Sequence, residues 1–102
     1  MDFWNFNVGH HLGTDLSSRA VARNLRQGIQ SHVHAGASVE LYFDEVRSIS
    51  TGFADELLGV LVELYGIPWF KKNVQVTGMS DVVRQIVLEA IAERLEWKRL
   101  EN

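Results

Sequence analysis

The residues with the clearest chemical potential are two adjacent hydroxyls, Ser50 and Thr51, which are followed by Gly52. They stand where an apolar stretch has ended in acidic residues and a helix is predicted to begin. The first N–H groups of a helix lack intrahelical partners, and the helix dipole favours negative charge there. A phosphate would therefore be well held, and Thr51 and Ser50 are candidate phosphorylation sites. The same residue types also cap ordinary helices, so a purely structural role stays open.

Four carboxylates are predicted to lie near these hydroxyls. Asp44 and Glu45 end the second predicted strand, and Asp55 and Glu56 fall in the first turn of the second predicted helix. Strand carboxyl ends and helix amino ends share one edge of a parallel sheet, where ligands usually bind. The four acids could form a Mg²⁺ site or an acid–base pair. The alternative is that Asp55 and Glu56 only favour the positive helix end.

No catalytic set of nucleophile, base and orienting group emerges from the sequence, so we expect no enzyme and no catalytic residues. Two histidine pairs, His10 with His11 and His32 with His34, could bind a metal only if their loops meet. No His-x-x-x-His spacing or cysteine supports such a site, and no phosphate-binding glycine motif is present. We therefore expect surface histidines, no metal and no cofactor.

Glycine and acidic residues share one face of the second predicted helix. Glycine inside a helix costs about 1 kcal/mol relative to alanine, so Gly59 predicts close backbone approach, either by internal packing or by a docking partner. Asp55, Glu56 and Glu63 are predicted to form an exposed strip beside it. The candidate partner-binding residues are Asp44, Gly52, Asp55, Glu56, Gly59 and Glu63.

Hydropathy patterns predict the elements that position these residues. Apolar and polar residues alternate, as in half-buried strands, over 3–8, 38–43 and 73–77. Longer segments with one apolar stripe predict helices over 15–31, 51–65 and 80–97. Predicted caps and ends are Thr14 or Asp15 for the first helix, Gly66 and Pro68 after the second, and Ser80 before the third. Arg19 and Arg23, four residues apart, could contact an anion but are predicted to form a solvated face.

The order βαβαβα predicts mostly parallel strands joined by right-handed crossovers. A sheet buried on both faces would read as continuous apolar runs, and these strands alternate instead. The predicted fold class is therefore α/β, a two-layer arrangement with a small sheet and helices on one face. The open face would carry Asn5, Asn7, Glu40, Tyr42 and Gln75. Such a face is often covered by another strand, a partner or a second copy.

Length and composition restrict the function classes. The 102 residues predict one domain over 1–102, with 46% apolar and 23% charged residues. A net charge of −3 predicts no nucleic-acid partner. The chain has no cysteine, no long apolar run and no amino-terminal signal pattern. We expect no membrane span and a cytoplasmic location.

The run Ile49-Ser50-Thr51-Gly52-Phe53-Ala54-Asp55-Glu56-Leu57 resembles the signature of STAS domains, the anti-sigma-factor antagonists. Their pattern is roughly Asp-Ser-Ser/Thr-Gly-Leu-x-x-x-Leu, between a strand and a helix, and it covers about 38–65 here. The chain departs from it at Ile49, where the family has aspartate. Together with Leu-Ser-Ser-Arg at 16–19, the run looks closer to a divergent STAS-like family of small bacterial proteins, a resemblance that spans about 3–97.

The resemblance implies a two-layer fold, a signalling role and a partner of the histidine-kinase-like ATPase or anti-sigma type. It places Thr51 on the hydroxyl that a partner kinase phosphorylates. Phosphorylation would add about −1.5 to −2 charge, which the nearby acids would reinforce against an acidic partner, so docking would be lost. Two alternatives stay open: a small metal- or ligand-binding enzyme that uses the acids near Thr51 or the histidine pairs, and a homo-oligomeric domain that pairs through its open sheet face.

Overall fold

A three-stranded parallel sheet organises the chain in the structure, a computed structural model that describes residues 2–101. Its strands are β1 (Phe3–Asn7), β3 (Ser38–Tyr42) and β5 (Val74–Thr77), in the order β1-β3-β5. A second, two-stranded parallel pair joins β2 (Asp15–Leu16) to β4 (Ser48–Ile49). The predicted parallel strands are therefore confirmed, and β2 and β4 are additions.

Helices fill the connections between the strands. One segment, 51–65, is helical throughout and contains a π-helical turn; it is called the central helix below. The helices are α1 (Val8–Leu12), α2 (Arg19–His34), α3 (Thr51–Ala54), the π-helical turn (Asp55–Gly59), α4 (Val60–Tyr65), α5 (Ile67–Asn73) and α6 (Asp81–Glu101). Within residues 2–101, none is long and apolar enough to cross a membrane.

The alternating strands do separate an apolar face from a polar one. Val39 and Leu41 of β3 are buried and belong to one core cluster with residues of α2, the central helix and α6. On the other face of the sheet, Asn5 and Gln75 are exposed and Tyr42 is half-buried. The predicted α/β fold, with a small parallel sheet and packed helices, is confirmed. Pairing of two copies through the polar face stays a prediction.

The first long helix begins later than predicted. Ser18, not Thr14 or Asp15, caps it, because the Ser18 hydroxyl accepts a hydrogen bond from the Val21 N–H at 3.2 Å. Asp15 instead lies in β2, where its carboxylate accepts a hydrogen bond from the Ser48 hydroxyl at 2.7 Å. That bond and the Thr14 hydroxyl hold the pKa of Asp15 below its usual value. The helix-like spacing of this segment concealed a two-residue strand.

Two of the other predicted helix boundaries, Gly66 and Ser80, are confirmed. Gly66, at φ 90°, ends the central helix as predicted, but Pro68 lies in the first turn of α5, a helix that the sequence patterns missed. Proline is compatible with a first turn, because the N–H it lacks has no intrahelical acceptor there. Ser80 caps α6 as predicted, by accepting from the Val83 N–H at 3.2 Å. That helix continues to Glu101, beyond the predicted end at 97.

Candidate functional site

The two candidate hydroxyls have different surroundings. Ser50 is the N-cap of the central helix: its hydroxyl accepts from the Phe53 N–H at 3.0 Å and donates to the Ser17 carbonyl at 3.3 Å. Thr51 is exposed, and its side chain has no hydrogen bond with any of residues 2–101. The Ser50 hydroxyl therefore has a structural role as a helix cap, whereas the Thr51 hydroxyl is accessible for modification.

Ile49, where STAS domains have aspartate, is a core residue here. It lies in β4 beside Leu16 of β2 and is buried with it in the hydrophobic cluster. An aspartate at this depth would bury a carboxylate among apolar side chains, which is costly without a paired cation. Packing at β4 thus accounts for the departure from the STAS pattern.

Three arginines of α2 face the central helix. They are Arg19, Arg23 and Arg26, spaced four and three residues apart so that they share one side of α2. Arg26 donates through Nη1 to the Glu56 carboxylate at 2.8 Å and to the Glu56 carbonyl oxygen at 2.6 Å. Arg19 and Arg23 approach the same carboxylate at 3.5 and 3.7 Å. Arg19 and Arg23 remain half exposed, as predicted for a solvated face, but they also contact the central helix.

Asp55 joins α2 to α6. Arg94 of α6 donates to both Asp55 carboxylate oxygens, at 2.9 Å from Nε and 2.6 Å from Nη2. Arg19 reaches the same carboxylate at 3.2 Å. These ion pairs bind three helices together and are called the arginine clamp below. Its members are Arg19, Arg23, Arg26, Arg94, Asp55 and Glu56.

The clamp holds both of its acids ionised. Partial burial raises the pKa of Asp55, but hydrogen bonds from Arg94 and Arg19 outweigh it and leave the pKa below its ordinary value. Burial likewise raises the pKa of Glu56, and the hydrogen bond from Arg26 more than offsets this effect. The bond to Asp55 raises the pKa of Arg94. Both carboxylates are therefore engaged as ionised partners of arginines within the chain.

Gly59 lies under the clamp, not on the surface. It is buried at the end of the π-helical turn, where the Val60 N–H bonds to the Asp55 carbonyl. A Cβ at this position would lie 2.8 Å from Asp55 Oδ1, which is too close, whereas Arg94 Cβ at 3.6 Å would be at an ordinary contact distance. The glycine therefore leaves room for the Asp55 carboxylate beside α6, which is the internal-packing alternative.

The predicted exposed strip is therefore wrong as a surface. Gly59 is buried, and the carboxylates of Asp55 and Glu56 are covered by arginines from α2 and α6. Glu63 is half-buried, and its carboxylate lies 3.6 Å from Arg94. A partner could reach Glu56 and Gly59 only after the clamp had opened, whereas Asp55 and Glu63 also border an open cleft.

Gly52 makes room for a cation beside Thr51. A Cβ on Gly52 would lie 2.9 Å from Arg19 Nε, so the Arg19 side chain packs directly against the first turn of the central helix. Half of that side chain remains exposed, at 53% of its surface. The Thr51 hydroxyl thus lies in the neighbourhood of a guanidinium and of the positive end of a helix.

An open cleft of about 360 Å³ extends from Thr51 toward the end of α6. Its lining residues are Arg19, Thr51, Asp55, Glu63, Glu93, Arg94, Trp97 and Glu101. The sequence patterns did not identify Glu93, Trp97 or Glu101 as part of a site. Their spacing of four residues along α6 could have indicated a shared face.

The remaining acids lie elsewhere. Asp44 is exposed and its carboxylate is adjacent to Gly78, while Glu45 packs against Gly9. Neither lines the cleft, so the predicted gathering of four carboxylates around Thr51 is wrong. Among residues 2–101, no group of three histidines or acids is arranged to hold a metal ion.

The four histidines lie in helices, and two of them stack on aromatic residues of β1. His10 and His11 lie in α1, and His32 and His34 lie in the last turn of α2. His32 stacks on Trp4 at 4.2 Å between ring centroids, and His11 stacks on Phe6 at 4.7 Å. They therefore contribute ring packing around the sheet.

The comparison with known families agrees with this architecture. The family described as "STAS-like domain of unknown function (DUF4325)" matches residues 21–84, and the chain belongs to that family. The match includes α2 from its third residue, the central helix and the start of α6. No curated protein and no solved structure matches the chain significantly. The resemblance to STAS-like domains is confirmed.

Proposed function

We propose that this STAS-like chain is a non-enzymatic binding module that docks a histidine-kinase-like ATPase of the anti-sigma type. The docking surface would include the β4–α3 loop and the accessible part of Ser50–Glu63, with phosphorylation of Thr51 as its switch. One observation carries the proposal: Thr51 presents an unbonded, exposed hydroxyl at a helix N-terminus on the rim of an open cleft.

The surroundings of Thr51 would accept a phosphoryl group. The N-terminus of the central helix favours its charge, and Arg19, packed against Gly52, offers a guanidinium for charge-assisted hydrogen bonds. Arg19 would then exchange Asp55 and Glu56 for the phosphate. Arg94 and Arg26 would keep these two acids paired, so the clamp would be altered without being lost.

The switch therefore differs from the simple repulsion that the sequence suggested. Asp44 and Glu45 do not line the cleft, and Asp55 and Glu56 are neutralised by arginines. Phosphorylation would instead change the charge of the cleft and the position of Arg19 together. A docked partner would detect both changes at one surface.

A phosphorylation assay tests this proposal. The purified chain is incubated with labelled ATP and the histidine-kinase-like ATPase encoded nearest to it. We expect label on wild type and on Ser50→Asn, which keeps a helix cap, but none on Thr51→Val, which keeps the shape without the hydroxyl. We also expect Thr51→Glu to change the affinity of the chain for the same ATPase, measured under conditions in which no phosphoryl transfer takes place.

Two results would count against the proposal. One is label that persists in Thr51→Val, which would place the modification elsewhere. The other is equal ATPase affinity of wild type and Thr51→Glu, measured by calorimetry, which would mean that charge at Thr51 does not control docking.

A further inference from the structure

Trp97 is the most unusual side chain of the cleft. It lies on α6 with 67% of its surface exposed, and it makes no ring contact with another aromatic residue in the described part of the chain. A tryptophan placed in this way leaves a large π-face open beside polar groups. The core cluster does not include it, so packing does not explain its position.

Two unpaired carboxylates flank this ring. Glu93 and Glu101 lie four residues before and after Trp97, so the three side chains follow one another on one face of α6, about 6 Å apart. Neither glutamate forms a hydrogen bond or ion pair with any of residues 2–101. All three residues line the cleft that begins at Thr51.

The net charge of the residues that line the cleft is negative. Its lining contains two guanidiniums, Arg19 and Arg94, against four carboxylates, which leaves a net charge of −2. Both guanidiniums already face Asp55, and Arg94 also faces Glu63. The charge left for a ligand is therefore that of Glu93 and Glu101, on either side of the tryptophan.

We infer that this cleft binds a basic segment of a partner protein, with an arginine or lysine side chain over the Trp97 ring. A cation is attracted to the face of an indole, and a guanidinium can also stack on it. The glutamates would accept charge-assisted hydrogen bonds from the same or neighbouring basic residues. This inference rests on the proposed function, because it assumes that a partner docks at this surface. It adds the chemistry of the partner segment that binds there.

A basic partner segment determines whether phosphorylation of Thr51 raises or lowers the affinity of the cleft. A negative group on Thr51 adds to the charge that attracts a basic segment, since both line one cleft. Thr51→Glu should therefore raise the affinity for a basic ligand. A fall in affinity would contradict the electrostatic account.

Binding of an acetylated, amidated tetra-arginine peptide to the ¹⁵N-labelled full chain tests the inference. In low salt we expect saturable shifts of the Trp97 indole N–H and of the Thr51, Glu93 and Glu101 amides. Glu93→Gln/Glu101→Gln and Trp97→Ala should each weaken binding roughly fivefold, and added salt should weaken it further. Acetylated tetra-glutamate should produce no shifts.

A matched control separates the cleft from general acidity. Glu45→Gln/Glu89→Gln removes the same number of charges from exposed positions outside the cleft, at glutamates that form no ion pair within residues 2–101. It should bind within about twofold of wild type, because only diffuse charge has changed. Equal weakening by both double variants, or an unshifted Trp97 indole, overturns the inference. Circular dichroism of every variant excludes loss of fold as the cause.

The two proposals can fail separately. Label on Thr51 without peptide binding in the cleft would leave the phosphorylation switch intact and remove the basic partner segment. Peptide binding without any label on Thr51 would do the reverse.

Discussion

The arginine clamp and the cleft use the same residue types for opposite purposes. In the clamp, Asp55 and Glu56 meet guanidiniums from two other helices. In the cleft, Glu93 and Glu101 lie beside an exposed tryptophan and form no ion pair with any of residues 2–101. The first set satisfies its charges within the chain, and we propose that the second set binds a ligand. Acidic residues on a helix therefore indicate a binding surface only when no arginine or lysine of the same chain neutralises them.

The difference has an energetic basis. The clamp acids are shielded from water, so their hydrogen bonds with arginine gain strength and removal of one partner leaves a charge in a poorly solvated place. The cleft glutamates are solvated, and exposed charges contribute little to folding. Stability should therefore respond to changes in the clamp and remain nearly constant when the cleft is changed.

The largest expected effect comes from crowding the helix contact under the clamp. Gly59→Leu should lower the free energy of unfolding by about 3 kcal/mol, because the side chain would meet α6 and displace the Asp55 carboxylate. Urea denaturation measures this change. Ala92→Leu adds a similar side chain at an exposed position of α6 and should change stability by less than about 0.5 kcal/mol. A Gly59→Leu protein as stable as wild type would mean that Gly59 is not packed as described.

Removal of the central clamp acid should have the next largest effect. Asp55→Ala deprives Arg94 and Arg19 of their shared acceptor and should cost about 2 kcal/mol. Glu93→Ala, its counterpart in the cleft, should cost less than about 0.5 kcal/mol in the same denaturation experiment. Similar losses from both variants would erase the distinction between clamp and cleft.

Acid should weaken the clamp selectively. The folded-state pKa values of Asp55 and Glu56 lie below their ordinary values of 3.8 and 4.5, so the unfolded chain binds more protons as the pH falls. Their contribution is complete above about pH 5 and is lost as the pH falls through the depressed values. Asp55→Asn/Glu56→Gln should therefore lose less stability than wild type between pH 6 and pH 3, the range set by those pKa values.

The same titration offers an internal comparison. Wild type, measured over the same range, is the reference. Equal losses of stability in wild type and in the clamp variant would mean that Asp55 and Glu56 are not the carboxylates that couple stability to pH.

The smallest expected difference separates the two hydroxyls. Ser50→Ala removes the cap of the central helix and should lower stability by about 1 kcal/mol, whereas Thr51→Val should remain within about 0.5 kcal/mol of wild type. Thermal denaturation of the two variants checks this order. The reverse order would make Thr51 a structural residue and weaken its candidacy as a switch.

Local sequence patterns predicted much of the fold for clear physical reasons. The alternation of apolar and polar residues in β1, β3 and β5 indicated strands with one buried face. Ser80 and Gly66 indicated helix boundaries. The two-residue strands β2 and β4 escaped detection because a pair of residues carries no periodicity. Helix α5 escaped detection because a proline soon after Gly66 predicts the end of a helix, whereas Pro68 lies in the first turn of a new one.

The site was harder to predict because its contacts are distant in sequence. Arg94 lies 39 residues from Asp55, and Arg26 lies 30 residues from Glu56. Helix spacing predicted one strip of acids, but it could not show that arginines of other helices cover Asp55 and Glu56. The exposed state of Trp97 was equally hidden, since an aromatic residue on a helix usually faces the core.

We propose that partner binding takes place in the cleft beside Thr51 and not on the strip beneath the arginine clamp. Titration of the ¹⁵N-labelled chain with the histidine-kinase-like ATPase tests this proposal most directly. We expect the amide shifts to concentrate at Thr51, Glu93, Trp97 and Glu101. Shifts confined to the polar sheet face around Asn5 and Gln75, with the cleft unchanged, would contradict it.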